Sequence, residues 1–250
     1  MTRKILRLGG VVTPSPLPSV SLTDMDRAFA NIPGLHTLVD PAYRVGSGAR
    51  NLARPNDVLA NATASGAAVG AFPGGAPAFD CTDETTAALV GSVNLDPTAW
   101  SVLAVHRLTA KVASSVHNIV GSQAAETPGP AVLRVGFIGD GAAARAWNEG
   151  LVVAAGQLIS FAPTQNFVGR TAVSLWTYSG GRVRYFLDGT LRVEGDALDL
   201  TNERLAGQWS LLRYCRGLFG NIAVTSSDLS RPDLASHRQR VVDFLMEKYG

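Results

Sequence analysis

Three acidic residues within six positions are the first candidates for chemistry. They stand in the segment Glu194-Gly195-Asp196-Ala197-Leu198-Asp199. Glycoside hydrolysis commonly uses two carboxyl groups at a set separation, one of which donates a proton. Gly195 weakens a strand at this point, and the segment directly follows an Asp188-Gly189 hairpin turn. We therefore expect these acids to be turn and surface residues.

Other reactive arrangements do not assemble in the sequence. A Gly-x-Ser-x-Gly nucleophile motif is absent, and the histidines, His36, His106, His117 and His237, do not stand at metal-ligand spacing. Gly139-Asp140-Gly141 lacks the residues of a phosphate loop or a calcium loop and reads as a turn. Cys81 and Cys215 are interpreted as reduced, buried thiols. The sequence predicts no metal, no cofactor and no catalytic residue, hence no enzyme.

A binding site is the more favoured hypothesis. Sugar-binding proteins stack aromatic side chains on pyranose rings and place Asn, Asp or Arg at the hydroxyl groups. Arg145, Trp147 and Asn148 offer that combination in a polar segment after a predicted strand, and they are the glycan-binding candidates. A subunit interface and plain packing remain alternatives for Trp147. The other tryptophans, Trp100, Trp176 and Trp209, lie in predicted strands and are expected to fill the core.

The N-terminal part of the chain predicts a connector ahead of the main domain. Residues 1–21 are interpreted as an extended arm, in which Pro14, Pro16 and Pro18 favour polyproline character and could anchor a partner. Residues 22–34 predict a short helix and connector, with Thr23 as its cap and Pro33-Gly34 at its end.

From residue 35 onwards, short alternating or apolar runs separated by turn residues predict strands. The clearest case is Arg182–Leu187, where Val183, Tyr185 and Leu187 alternate with the other three residues. The segment Ala49–Gly75 predicts a loop with at most one short strand. After Ser230, a candidate cap, the apolar period changes to that of an amphipathic helix reaching Gly250. We expect a mostly β, two-sheet antiparallel sandwich with a closing C-terminal helix, spanning residues 35–250.

Composition narrows the function classes. The chain has 250 residues, 46% hydrophobic and 17% charged, with a net charge of +2. Dispersed basic residues without interleaved aromatics argue against nucleic-acid binding. No apolar run approaches the roughly 20 residues of a membrane-spanning helix, and the N-terminus lacks the continuous apolar region of a signal peptide. The low charge is compatible with a homo-oligomer.

The C-terminal third resembles the concanavalin A-like lectin/glucanase superfamily, especially its laminin-G-like branch found in phage virion and bacterial surface proteins. The ordered pieces are Phe186-Leu187-Asp188-Gly189, Leu218-Phe219-Gly220-Asn221-Ile222-Ala223, Asp228-Leu229-Ser230 and the closing helix. Upstream, Pro77-Ala78-Phe79-Asp80 and Ala99-Trp100-Ser101-Val102 resemble two earlier strands. The resemblance covers roughly residues 35–250 and implies a jelly roll of two antiparallel sheets. Its glucanase members carry Glu-x-Asp-x-x-Glu, whereas this chain ends the pattern with Asp199.

The sequence therefore predicts a non-catalytic virion or particle-surface protein, such as a phage decoration, spike or tail-associated module, made in the host cytoplasm. Its expected partners are other virion proteins and a cell-surface glycan. A carbohydrate-binding module outside a virion is the first alternative. A glycoside hydrolase or lyase that uses Glu194, Asp196 and Asp199 is the second.

Overall fold

A computed structural model gives the fold. It describes residues 24–250 except for positions 55, 62–67, 83–88, 110–115, 123–132, 139–149, 155–156, 162–167, 198, 201–204 and 214. The described part begins with helix α1 (Asp24–Ala30) and ends with helix α2 (Ala235–Tyr249). No helix in these described ranges is long and apolar enough to cross a membrane.

The strands between the helices are, in chain order, β1 (Leu35–Val39), β2 (Arg44–Val45), β3 (Gly48–Arg50), β4 (Val58–Asn61), β5 (Ala68–Ala71), β6 (Pro77–Asp80), β7 (Leu89–Asn94), β8 (Ala99–Leu108), β9 (Val116–Ser122), β10 (Arg134–Ile138), β11 (Gly150–Ala154), β12 (Gln157–Phe161), β13 (Thr171–Ser179), β14 (Arg182–Leu187), β15 (Thr190–Ala197), β16 (Ala206–Arg213) and β17 (Gly217–Thr225). Short 3₁₀ helices cover Pro41–Tyr43 and Pro232–Leu234.

The strands form two antiparallel sheets. The first, which we call the front sheet, has the order β15-β14-β13-β8-β17-β6-β5, and β1 pairs with the later part of β17. The second, the back sheet, has the order β12-β11-β10-β9-β16-β7-β4-β3-β2. Strands far apart in sequence are neighbours in both sheets, so the order is that of a sandwich with crossing connections.

Two tight turns build the β13–β14–β15 end of the front sheet. Gly180 and Gly181 join β13 to β14, with φ angles of 55° and 79°. Asp188 and Gly189 join β14 to β15, with φ angles of 51° and 81°. Positive φ at both central residues is the turn geometry that matches the twist of hairpin strands, which explains the Gly-Gly and Asp-Gly sequences.

The main core lies between the two sheets. Alternation in β13 and β14 directs Trp176, Tyr178, Val183, Tyr185 and Leu187 into it. The three core tryptophans expected from the sequence are all buried: Trp100, Trp176 and Trp209. Cys81 and Cys215 are also buried in this core, and burial raises the pKa of the Cys215 thiol.

A second core covers the outer face of the front sheet. Helix α2 buries Val241, Val242, Leu245 and Tyr249 against this face, and Phe29 of α1 belongs to the same cluster. The expected helix cap, Ser230, does not cap α2. Its hydroxyl donates instead to Asp228 over 2.5 Å, and the 3₁₀ turn at Pro232–Leu234 precedes the helix.

The fold expected from the sequence is confirmed. The chain is mostly β, its sheets are antiparallel and stacked as a sandwich, and a short N-terminal helix and a C-terminal helix accompany them. The domain boundaries at residues 21 and 34 stay a prediction.

Gly220 is a point of close approach between β17 and α2. A Cβ atom at this position would lie 2.7 Å from Cζ of Tyr249, whose side chain is fully buried. We expect Gly220→Ala to lower the free energy of unfolding by about 1–3 kcal/mol, since a methyl group forced into a packed core displaces its neighbours. Urea unfolding followed by tryptophan fluorescence measures this change. Gly74→Ala is the control because nothing lies within 4 Å of that position; equal effects of both variants would contradict the argument.

Candidate functional site

A cleft of about 210 Å³ opens at the edge of the sandwich, between β1 of the front sheet and β4, β7 and β16 of the back sheet. We call it the edge cleft. It combines buried apolar surface with exposed polar side chains. The described residues that line it are Thr37, Asn51, Asn56, Asp57, Val58, Leu59, Gly91, Ser92, Trp209 and Leu211.

The floor of the edge cleft comes from neighbouring strands of the back sheet. Trp209 of β16 lies opposite Gly91 of β7 in the antiparallel register. A Cβ atom on Gly91 would lie 3.0 Å from Cγ of Leu59, so the glycine allows the Leu59 side chain to pack against β7. Trp209 and Leu211 are almost fully buried and form the apolar base of the cleft.

One wall of the edge cleft is the loop between β3 and β4, which a buried asparagine holds in place. The Asn51 side-chain oxygen accepts hydrogen bonds from the backbone N–H groups of Leu38, over 3.0 Å, and Ala53, over 3.1 Å. Its amide group donates to the carbonyl of His36 over 3.1 Å. This one side chain, only 3% exposed, therefore ties the loop to β1.

Backbone hydrogen bonds complete the loop. The N–H of Asn51 donates to the carbonyl of Asp57 over 3.0 Å, and the N–H of Asp57 donates to the carbonyl of Arg54 over 2.8 Å. The guanidinium of Arg54 donates to Nδ1 of His36 over 2.5 Å. Burial, together with this guanidinium, lowers the pKa of His36. These hydrogen bonds close the loop on itself and fasten it to β1.

The result is a set of exposed polar groups above an apolar floor. Asn56 and Asp57 from the loop and Ser92 from β7 are exposed to solvent, and Val58 beside them is 49% exposed. An amide offers both donors and acceptors, a carboxylate only acceptors and a hydroxyl one donor. Such a mixture over apolar surface suits a small ligand that carries hydroxyl groups on a hydrocarbon ring.

Two acids of the segment singled out from the sequence, Glu194 and Asp196, lie elsewhere, in the edge strand β15, and Asp199 follows that strand. The expectation that Glu194 and Asp196 are turn residues is therefore wrong. Glu194 is bound by Arg182 and by Arg184, whose Nε lies 2.8 Å from the carboxylate. These hydrogen bonds hold the pKa of Glu194 below its usual value, with that from Arg182 the larger cause. Glu194 is therefore a paired surface carboxylate that is not suited to donate a proton at neutral pH. Asp199 is exposed.

Arg184 links this pair to the start of the C-terminal helix. Its guanidinium lies 3.8 Å from Asp228 and donates to the hydroxyl of Ser230 over 3.3 Å. The Asp228 carboxylate also accepts hydrogen bonds from Ser179 and Ser230. Arg184 therefore has two oppositely charged neighbours, Glu194 and Asp228. These contacts join β14, β15 and the segment before α2.

The glycan-binding candidates Arg145, Trp147 and Asn148 lie outside the described residues, and so do Pro14, Pro16 and Pro18 of the predicted arm. Their roles stay predictions. The sequence does not indicate the edge cleft, because Ala49–Gly75 predicts a loop with at most one short strand. The signal that could have indicated it is the group of polar residues Asn51, Arg54, Asn56 and Asp57 within seven positions.

A buried polar chain crosses the main core. Nε2 of His106 lies 2.7 Å from the hydroxyl oxygen of Ser174, which lies 2.8 Å from the hydroxyl oxygen of Tyr185. Burial lowers the pKa of His106 to about 3, and the positive charge of Arg170 adds to the effect. All three residues are fully buried, so a ligand in the solvent cannot reach this row of hydrogen bonds. No group of three or more metal-ligating side chains occurs in the described ranges.

No family model matches the sequence, and no curated protein matches it. Solved structures do match its fold. The sialidase of Trypanosoma rangeli, in complex with sialic acid, superposes with a TM-score of 0.57 at 12% identity, over 90% of this chain and 37% of that one. The receptor-binding domain of botulinum neurotoxin type G gives 0.56 at 11%, over 85% of this chain and 51% of that one. A botulinum neurotoxin type C structure, whose description states that cell entry depends on two ganglioside molecules, gives 0.54 at 11%, with the same coverage.

These matches support the β-sandwich expected from the sequence, and they show the fold alone. The chain spans 37% of the length of the sialidase and 51% of the length of the toxin chains.

The prediction that the chain is not an enzyme is contradicted by the sialidase matches, because the fold occurs within chains that are glycosidases. That prediction rested on the defects of a carboxylate motif, Glu194, Asp196 and Asp199. Sialidases use a tyrosine nucleophile and depart from the two-carboxylate scheme. A test of the carboxylates alone could therefore not exclude glycosidase chemistry.

Proposed function

We propose that this domain binds carbohydrate in the edge cleft. The observation that carries the proposal is a pre-formed cleft in which a fastened loop presents Asn56 and Asp57 above the buried Trp209. A ligand loses less free energy on binding when the groups that contact it are already held in place. The volume of the edge cleft, about 210 Å³, is below the roughly 300–1,000 Å³ of sites for drug-sized ligands, so the cleft suits one sugar ring.

The nature of the structural neighbours supports the same ligand class. One is a sialidase solved with sialic acid, and another is a toxin whose cell entry depends on gangliosides. Sandwich folds host many functions, so this likeness adds to the argument from the cleft and does not replace it.

Blocking the mouth of the cleft tests the proposal. Asn56 is an exposed residue of the loop that lines the cleft, and Asn56→Trp places a bulky side chain there. We expect the wild-type protein to bind members of a broad glycan array and Asn56→Trp to bind the same glycans at least tenfold more weakly. Calorimetric titration with the best glycan gives the ratio.

Thr190→Trp is the control, because Thr190 is also exposed and lies in β15 of the other sheet. It should bind like the wild type. Unchanged binding by Asn56→Trp would move the site away from the edge cleft, and the absence of binding to any glycan by the wild type would refute carbohydrate binding.

The virion setting stays a prediction from the sequence. In that setting the glycan-binding domain belongs to a virus particle made in the host cytoplasm, and the arm with Pro14, Pro16 and Pro18 attaches it to other particle proteins. In that setting the edge cleft would bind a glycan on the cell surface.

A further inference from the structure

The charge of the edge cleft points to a particular class of sugar. Asp57 is the one charged side chain among the described lining residues, and it is exposed to solvent. The hydrogen-bonding groups beside it, Asn56 and Ser92, are uncharged. A ligand in the cleft therefore contacts a carboxylate, which accepts hydrogen bonds and repels a second negative charge.

The cation nearest to Asp57 in the sequence of the loop is Arg54, and its guanidinium contacts His36. The Arg54 guanidinium donates to Nδ1 of His36, and burial together with that guanidinium lowers the pKa of His36. This contact holds the guanidinium at β1, and Asp57 is the charged side chain among the described residues that line the cleft.

The remaining surface suits an uncharged ring. Val58 presents exposed apolar surface beside Asp57, whereas Trp209 is almost fully buried beneath the cleft. A pyranose has C–H groups that pack on such surface and hydroxyl groups that donate to a carboxylate. Hydrogen bonds to a charged acceptor are stronger than those between neutral groups.

We infer that the edge cleft selects a neutral sugar unit against an acidic one, and that Asp57 is the specificity-determining residue. This inference rests on the proposed carbohydrate binding. It separates the cleft from the matched sialidase, which was solved with sialic acid. Adjacent hydroxyl groups of the neutral ring donate to the Asp57 carboxylate, whereas a sugar carboxylate in the same place meets a like charge.

Matched glycan pairs test this selection. Each neutral oligosaccharide is compared with its sialylated form, lactose with 3′-sialyllactose among them, on an array and by calorimetric titration. We expect the wild-type protein to prefer the neutral member by at least tenfold, and the preference to shrink as the NaCl concentration rises, because salt screens exposed charges. Asp57→Asn should bring the ratio close to one, and Asp57→Lys should reverse it.

Asp243→Asn is the control, since it makes the same change of net charge at an exposed position of α2 far along the chain. It should keep the wild-type ratio. Equal or tighter binding of the sialylated members by the wild type overturns the inference and leaves carbohydrate binding intact. A ratio that is unchanged in Asp57→Asn also overturns it. Binding to neither member of any pair overturns both proposals.

Discussion

Acidification from pH 6.5 towards pH 4 should remove about 1.4 kcal/mol of stability per pH unit through a single residue, His106. The side chain is fully buried, and burial lowers its pKa from 6.5 to about 3. In the unfolded chain the imidazole is exposed and takes up a proton near pH 6.5, whereas in the folded protein it stays neutral. The unfolded state therefore binds more protons than the folded state throughout this window.

The stability of the folded protein therefore falls as the pH falls. Above pH 6.5 both states hold a neutral imidazole, so the full stability is present. Below pH 6.5 each unit favours the unfolded state, and the loss ends near pH 3, where the folded protein binds the proton as well. Burial is the larger cause of the low pKa of His106, and the positive charge of Arg170 adds to it.

His106→Gln is the informative variant. Glutamine does not titrate, and its amide can still form a hydrogen bond with Ser174. Urea unfolding at pH 7.5, 6.5, 5.5 and 4.5, followed by tryptophan fluorescence, should give a steep loss of stability for the wild type and a much shallower one for His106→Gln. His36→Gln is the control, because His36 is only partly buried. Equal slopes for wild type and His106→Gln would show that the buried histidine takes up its proton without unfolding.

The body of the sandwich could be predicted because its signals are local. Alternation in Arg182–Leu187 sends Val183, Tyr185 and Leu187 to the main core, and the structure gives β14 the same bounds. The Gly-Gly and Asp-Gly turns adopt the positive φ angles for which those residues are selected. The mostly apolar run Leu151–Phe161 contains parts of two paired strands, β11 and β12, and such a run does not indicate where one strand ends and the next begins.

The edge cleft could not be predicted in the same way, because its parts meet only in the folded chain. Asn51 owes its position to Leu38 and His36, which are 13 and 15 residues away. Trp209 lies next to Gly91 across more than a hundred residues of sequence. The segment Ala49–Gly75 is rich in Ala, Asn and Gly, which have low strand propensity. Its sequence therefore does not indicate the strands that it forms by pairing with neighbouring strands. Ser230 likewise matches the sequence pattern of a helix cap, but its hydroxyl donates to Asp228 instead.

The C-terminal helix is fastened by a buried ion pair whose loss should be the most damaging single change to its docking. Nζ of Lys248 lies 2.6 Å from the Asp40 carboxylate and 3.1 Å from the side-chain oxygen of Asn221. The same oxygen accepts from the hydroxyl of Tyr249 over 2.5 Å. Asp40 is 2% exposed, and its other oxygen caps the backbone of Ala42. One carboxylate thus connects α2, β17 and the turn after β1.

Removal of one partner leaves the other charge with little water around it. We expect Asp40→Asn, which keeps the shape and the acceptor for Ala42, to lower the free energy of unfolding by about 3 kcal/mol, towards the lower end of the range for broken buried pairs because Lys248 retains some exposure. Lys248→Met should cost a similar amount, since Asp40 then loses its counter-charge. The double variant should be less unstable than the sum of the two, with a coupling above about 1 kcal/mol.

The exposed pair of Arg231 and Asp233 is the control for this cycle. Its N–O distance of 2.7 Å is nearly the same, but both side chains are about 60% exposed. A cycle with Arg231→Met and Asp233→Asn should therefore give a coupling well below 1 kcal/mol. Burial, rather than distance, is what separates the two pairs. If urea unfolding gives the same small coupling for both, Lys248 reaches water after the loss of Asp40, and α2 is held by the apolar contacts of Val241, Val242, Leu245 and Tyr249 instead.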